Sequence, residues 1–168
     1  MWNDSLTEYG KLKKERPTHY RKDEFMSDCI FCKIIAGEIP SVKVYEDEHV
    51  YAFMDIMPLS KGHTLLIPKT HREFVYDMAP EEAAQLFSVA PKIASAIKET
   101  FEPEGMNLLN NNGPKAGQSV FHFHLHFIPR YGASDGFGAK WMTKEKEYTT
   151  EKIQELAEQV KSKLASEA

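Results

Sequence analysis

Between Gly117 and Pro129 the chain alternates imidazole and apolar side chains: His122, His124 and His126 on even positions, Phe121, Phe123, Leu125 and Phe127 on odd ones. Successive side chains of a strand point to opposite faces. The pattern therefore predicts a strand over 118–128, with three imidazoles on one side and an apolar row packed into a core on the other. Gly117 and Pro129 are its expected ends. Elsewhere the pattern is more ordinary. Asp28 is placed to cap a short helix over 29–36, closed by Gly37. Apolar runs at 42–46, 49–54, 63–68 and 106–110 predict strands. Ala83, Leu86, Phe87, Ala90, Ile93, Ala94, Ile97 and Phe101 fall on one helical stripe starting from Pro80, and Pro91 should kink or split that helix by removing a backbone donor. A last helix over 150–166 carries Ile153, Leu156, Ala157, Val160 and Leu164 at helical spacing, a stripe for core or subunit contact. Strands joined by short turns, with helices packed on them, indicate an α+β fold around an antiparallel sheet. Residues 1–25 show neither period and are read as an N-terminal extension, a mobile tail without a function of its own.

Bulk properties exclude more than they identify. With 168 residues, 42% hydrophobic and 27% charged, the chain can bury a proper core. A net charge of −4 gives no basic footprint for nucleic acid. No apolar run approaches the ~18 residues that span a bilayer, and the polar first residues lack the apolar core of a signal peptide. A cytoplasmic protein is expected, with no membrane partner.

Candidate chemistry rests on histidine and cysteine. A neutral imidazole is a competent nucleophile near neutral pH, since its ordinary pKa is about 6.5. Three at strict two-residue spacing, backed by apolar residues, are hard to explain as structural. The two cysteines stand as Cys29-x-x-Cys32, half of a tetrahedral metal site or a redox pair. No local pair of histidines completes it, and His19, His49 and His71 read as surface residues.

His122-Phe123-His124-Leu125-His126-Phe127-Ile128 resembles the His-φ-His-φ-His-φ-φ signature of the histidine triad (HIT) superfamily of nucleotide hydrolases and transferases. The segment from Cys29 to Pro40, Ala52-Phe53-Met54-Asp55-Ile56 and Gly62-His63-Thr64-Leu65-Leu66-Ile67-Pro68-Lys69 resemble its Hint branch, particularly bacterial members. The resemblance implies a single HIT domain over 26–168, with about five antiparallel strands, one long helix, a short N-terminal helix and the C-terminal helix. It assigns the nucleophile to His124 and contact with the phosphate or leaving group to His126. Ser119 becomes a candidate to help protonate the leaving atom, its alternative being a turn-stabilising hydroxyl. Donors around Gly117, Gln118 and Ser119 would hold phosphate oxygens, Asn111 would be a polar site residue, Asp55 and Ile56 would meet the ribose, and Phe31 and Phe53 would line the base pocket. It also supplies two ligands to accompany Cys29 and Cys32 on a structural zinc ion, namely His63 and His122. A homodimer with sheets joined across subunits is implied as well.

The function so implied is cleavage of purine nucleoside phosphoramidates or related AMP conjugates through a nucleotidyl-histidine. Gly113 to Val120, with Pro129-Arg130, also resembles the Fhit branch, so a diadenosine polyphosphate hydrolase is one alternative. A nucleotide- or partner-binding module with incidental hydrolysis is another. A redox or regulatory protein built on Cys29 and Cys32 ranks below both.

Overall fold

A computed structural model describes residues 28–132, 135–138 and 142–166; the expected N-terminal extension lies outside the described residues. The chain divides into two compact units, one ending at Phe137 and one beginning at Gly138.

The first unit is a five-stranded, wholly antiparallel sheet. Its strands are β1 (Lys43–Glu46), β2 (Val50–Met54), β3 (Thr64–Pro68), β4 (Gly105–Leu109) and β5 (Leu125–Arg130), in the order β1-β2-β3-β5-β4. Helix α1 (Ile30–Ile35) packs on one face and α2 (Pro80–Phe101) on the other, which gives the α+β architecture expected. Covering both faces explains why β2 and β3 read as continuous apolar runs and not as alternations. In β2, Val50 and Ala52 enter the cluster beneath α2, while Tyr51 and Phe53 enter the one beneath α1. The turn between β1 and β2 is held by Asp47, whose Oδ1 accepts the N–H groups of His49 and Val50 at 2.8 Å each.

Several local expectations need correcting. Cys29, not Asp28, occupies the N-cap of α1, and it makes no side-chain cap. Helix α2 runs unbroken through Pro91. Pro91 lies on the exposed face, where water can take the carbonyl left without a donor. Leu86, Val89, Ala90, Ile93 and Ile97 form its buried stripe, whereas Phe87 is 46% exposed. Strand β5 starts only at Leu125 and continues through Pro129. The proline fits because β3 pairs with β5 only as far as Phe127. The Arg130 carbonyl bonds to Glu104 on the β4 side, so the missing N–H of Pro129 faces the other way, where its own carbonyl accepts Ser60 Oγ–H at 2.6 Å.

The second unit contains α3 (Thr150–Ser166), as the apolar spacing predicted. Its stripe residues Ile153, Leu156, Val160 and Leu164 are exposed. Among the described residues no helix is long and apolar enough to cross a membrane.

Candidate active site and metal centre

The alternation around the triad holds: Phe123, Leu125 and Phe127 are buried in the cluster beneath α2. The imidazoles occupy the other side, with the ring centres of His124 and His126 4.9 Å apart and Phe31 edge-on to both His122 and His124. Before β5 begins, the segment is held by other bonds. Phe123 N–H donates to the Arg72 carbonyl, and Asn110 Nδ2 donates to the His124 carbonyl at 3.0 Å. Arg72 is itself fixed by two bonds to the Glu82 carboxylate, at 2.7 and 2.6 Å.

Hydrogen bonds set the proton positions on each ring. His124 Nδ1–H donates to the His122 carbonyl at 2.7 Å, so Nε2 keeps its lone pair. Burial disfavours the charged form and pushes the pKa of His124 below its ordinary value, leaving a neutral ring near pH 7. His63 Nδ1 accepts the N–H of Leu59 at 3.2 Å. The proton of neutral His63 therefore sits on Nε2 and is donated to His126 Nδ1, 3.0 Å away. His126 is left with its own proton on Nε2. It too is neutral, its pKa pushed down to about 3 first by burial and then by the neighbouring His124 and His63. The row thus offers a lone pair on the middle ring beside an N–H on the third.

His122 is occupied differently. Its Nε2–H donates to the Pro68 carbonyl at 2.9 Å, leaving the Nδ1 lone pair facing Cys29 Sγ at 3.5 Å and Cys32 Sγ at 3.6 Å. The fourth group is His71, whose Nδ1 lies 3.3 Å from Cys32 Sγ. Cys29, Cys32, His71 and His122 could together hold a metal ion. This corrects the expectation that His63 completes the set. His63 is buried beside His126 and Asp55, at the opposite end of β3. The register explains it: β3 runs antiparallel to β5, so its start lies level with His126 and its end with His122. His71, just past that end and only half-buried, is the histidine within reach. The Cys29 thiol is drawn below its usual range, chiefly by a hydrogen bond from Cys32, with help from His122 and His71 and against its own burial. Cys32 is pushed up, because the pair retains one proton between them. Two sulfurs and two imidazoles are a donor set suited to zinc.

The remaining expected residues are spread around this row. Phe31 and Phe53 are almost wholly buried, with ring centres 5.5 Å apart, and Phe31 backs the imidazoles from the α1 side. Asp55 accepts the Met57 N–H at 2.8 Å and lies 3.6 Å from His63 Nδ1, while the next side chain, Ile56, is 57% exposed. Asn111 is half-buried and borders Gly117. Gln118 proves to be a clamp. Its Oε1 accepts Gly113 N–H at 2.7 Å, and its Nε2 donates to the Glu73 and Val120 carbonyls at 2.8 and 3.1 Å. The backbone amides of Gly117 and Gln118 are likewise spent, on Pro114 and Gly113, so neither is available to a phosphate. Ser119 alone of that trio is an exposed hydroxyl.

A family model for the HIT domain matches residues 36–133. The chain belongs to the histidine triad family. This HIT protein is 61% identical over 139 residues to the Hit protein of Bacillus subtilis, which covers 83% of the chain and 96% of that protein. It is 40% identical over 136 residues to an adenosine 5′-monophosphoramidase of Schizosaccharomyces pombe, covering 81% and 98%. Among solved structures, a HIT family protein from Bacillus anthracis superposes with a TM-score of 0.79 at 60% identity, covering 81% of this chain and 96% of that one. A zinc-bound histidine triad protein from Mycobacterium smegmatis does so with a TM-score of 0.62 at 38% identity, covering 71% and 87%.

Proposed function

We propose that this HIT protein cleaves purine nucleoside phosphoramidates or related AMP conjugates by way of a nucleotidyl group carried on His124. The observation that carries this reading is the bond from His124 Nδ1–H to the His122 carbonyl, which leaves Nε2 as a bare nucleophile on a neutral, buried ring. Relatives named as adenosine 5′-monophosphoramidases point to the same substrate class.

In the first step the Nε2 lone pair attacks the α-phosphorus. A P–N bond forms as the bond to the leaving group breaks, and the leaving group takes up a proton. The ring is cationic in this intermediate, and the His122 carbonyl at Nδ1–H offsets that charge. Water then displaces the histidine, releasing the nucleoside monophosphate and returning the ring to neutral. His126 Nε2–H is suited to a phosphate oxygen, where a donor meets the charge that develops in the transition state. Ser119 Oγ–H is the second candidate donor, for the departing atom. Asp55 has carboxylate capacity for ribose hydroxyls, with Ile56 beside it, while Asn111 stands on the opposite loop. A zinc ion, where bound, would be held by Cys29, Cys32, His71 and His122 and supply structural cross-linking, because four protein ligands leave no open coordination position.

A homodimer is part of this reading. Strand β4 is a sheet edge on which Leu108 is 55% exposed, a feature that pairing with a second copy would cover. A cytoplasmic setting accords with two free thiols.

The test is rapid mixing with adenosine 5′-phosphoramidate followed by acid-free mass spectrometry. An adenylyl adduct on His124, absent from His124→Ala, is expected. An adduct on any other residue, or turnover that survives His124→Ala, overturns the assignment. Faster cleavage of a diadenosine polyphosphate would transfer the substrate to that class.

A further inference from the structure

The proton carried by His126 is decided two hydrogen bonds away from it, at the backbone of Leu59. His63 stands between two competing groups on its Nδ1 side. The Leu59 N–H donates to Nδ1 at 3.2 Å, and the Asp55 carboxylate lies 3.6 Å from the same atom. With the Leu59 amide in place, Nδ1 is an acceptor and the proton sits on Nε2, directed at His126. Without it, the nearby carboxylate favours a proton on Nδ1. His63 Nε2 would then be bare and accept a proton from His126 Nδ1, and His126 would turn a lone pair toward the phosphate. The two patterns differ in no heavy atom, yet only the first presents a donor.

The loop following β5 holds Leu59 where it is. Gly136 N–H donates to the Leu59 carbonyl at 3.0 Å. A Cβ at residue 136 would lie 2.7 Å from that oxygen, closer than side-chain carbons pack, so this glycine is required for close approach. The loop is tied down by Arg130, which sits at the end of β5 itself. Its Nε donates to Asp135 Oδ2 at 2.8 Å, its Nη2 lies 2.8 Å from Oδ1 as an ion pair, and that Nη2 donates to the Phe137 carbonyl at 2.7 Å. Its Nη1 reaches Asn107 on β4 at 2.7 Å. Asp135 in turn accepts the Tyr131 N–H at 2.9 Å, and the Tyr131 hydroxyl donates to the Lys61 carbonyl at 2.9 Å. The Leu59 loop is thus gripped at both Leu59 and Lys61.

We propose that Gly136 and the Arg130–Asp135 pair are positioning residues, which fix the proton on His126 Nε2 by holding the Leu59 amide on His63. This rests on the phosphate-facing role proposed above for His126. Convergence of Asp55, His63 and His126 on a second metal ion fits the geometry less well. The His63 ring turns one nitrogen to Leu59 and Asp55 and the other to His126, and an ion can sit on only one side of it.

The experiment reads the tautomer directly, by long-range ¹H–¹⁵N correlation spectra of the full chain labelled at histidine, with His126 assigned through His126→Gln. The native protein is expected to show His126 protonated at Nε2. In Gly136→Ala the displaced Leu59 carbonyl should move the signal toward the Nδ1–H form, with kcat for the phosphoramidate falling about tenfold or more and KM little changed, as expected for partial loss of one positioned donor. Adding Asp55→Asn, which removes the competing carboxylate, should return the Nε2–H signature. Arg130→Lys, which loses the two-pronged hold on Asp135, should reproduce the Gly136→Ala spectrum and guards against a variant that fails to fold. An unchanged His126 tautomer in both Gly136→Ala and Arg130→Lys overturns the proposal, whatever happens to activity. A tautomer that shifts as described in a protein without phosphoramidase activity would leave the proposal standing and remove the enzymatic reading.

Discussion

Gly62 precedes His63 and has φ +86°, a conformation L side chains rarely adopt. Gly37, closing α1, has φ +76° and open space where a Cβ would stand. Alanine at each position separates two costs. At Gly37 only the left-handed backbone is penalised, roughly 1–2 kcal/mol. At Gly62 the same penalty applies, and the new Cβ would also lie 2.6 and 2.8 Å from Cδ2 and Cε2 of Phe101, at the end of α2. Phe101, the last residue of α2, is half-buried against the main core cluster, so displacing its ring gives up part of that packing, an overpacking cost of about 1–3 kcal/mol more. Gly62→Ala should therefore lose about 2–5 kcal/mol, and Gly37→Ala about half that or less. With roughly 2–4 °C per kcal/mol for a chain of this size, the two melting curves should separate by several degrees. Urea denaturation followed by circular dichroism gives both values, with m unchanged if the unfolded states match. Equal losses for the two variants would refute the reasoning, because they would show that Phe101 moves aside freely.

Two further outcomes follow from the geometry. Metal content measured by inductively coupled plasma mass spectrometry should be close to one zinc per chain in the native protein and in His63→Ala, but should fall sharply in Cys32→Ser and His71→Ala; loss in His63→Ala with retention in His71→Ala would restore the ligand set expected from the family pattern. Arg72 first, then the Ala79 amide, holds the Glu82 carboxyl below its ordinary range. A lowered folded-state pKa adds stability above the unfolded glutamate value, roughly pH 4.3, and that stability is lost as pH falls through the lower folded value. Glu82→Gln should therefore melt below the native protein at pH 7, with the gap closing toward pH 3. A gap that widens in acid would show that the pair does not act through its charge.

The apolar pattern made much of this fold legible, because each element is covered on a definite side. The third strand was expected over 63–68 and runs Thr64–Pro68, and the last helix was expected over 150–166 and runs Thr150–Ser166. The alternation placed Phe123, Leu125 and Phe127 in the core as expected, whereas Phe121 is only half-buried beside Phe74, and the hydrogen-bonded strand begins only at Leu125. What stayed hidden was long-range. Nothing near His71 in sequence marks it as a partner of Cys32, 39 positions away. A signal was nevertheless available, since antiparallel pairing of the His63–Pro68 strand with the triad strand obliges His122 to meet the far end of the former. The donors expected of the Gly117–Gln118 turn were hidden for a different reason: its backbone amides close the turn on Pro114 and Gly113, which only the folded loop shows. Leu59 and Gly136 carry their roles in backbone atoms, which composition and spacing do not reveal.

Because both faces of the sheet are covered, the segment that carries the imidazoles has no neutral positions from His122 to Ile128. Phe123, Leu125 and Phe127 support α2, His124 and His126 form the reactive row, His122 faces the cysteines, and Ile128 is itself buried. Changes of substrate in such a scaffold must come from elsewhere, from exposed side chains such as Ile56 and Met57 in the turn after Asp55. Variants selected for new leaving groups should accumulate there while the histidine-bearing stretch stays unaltered.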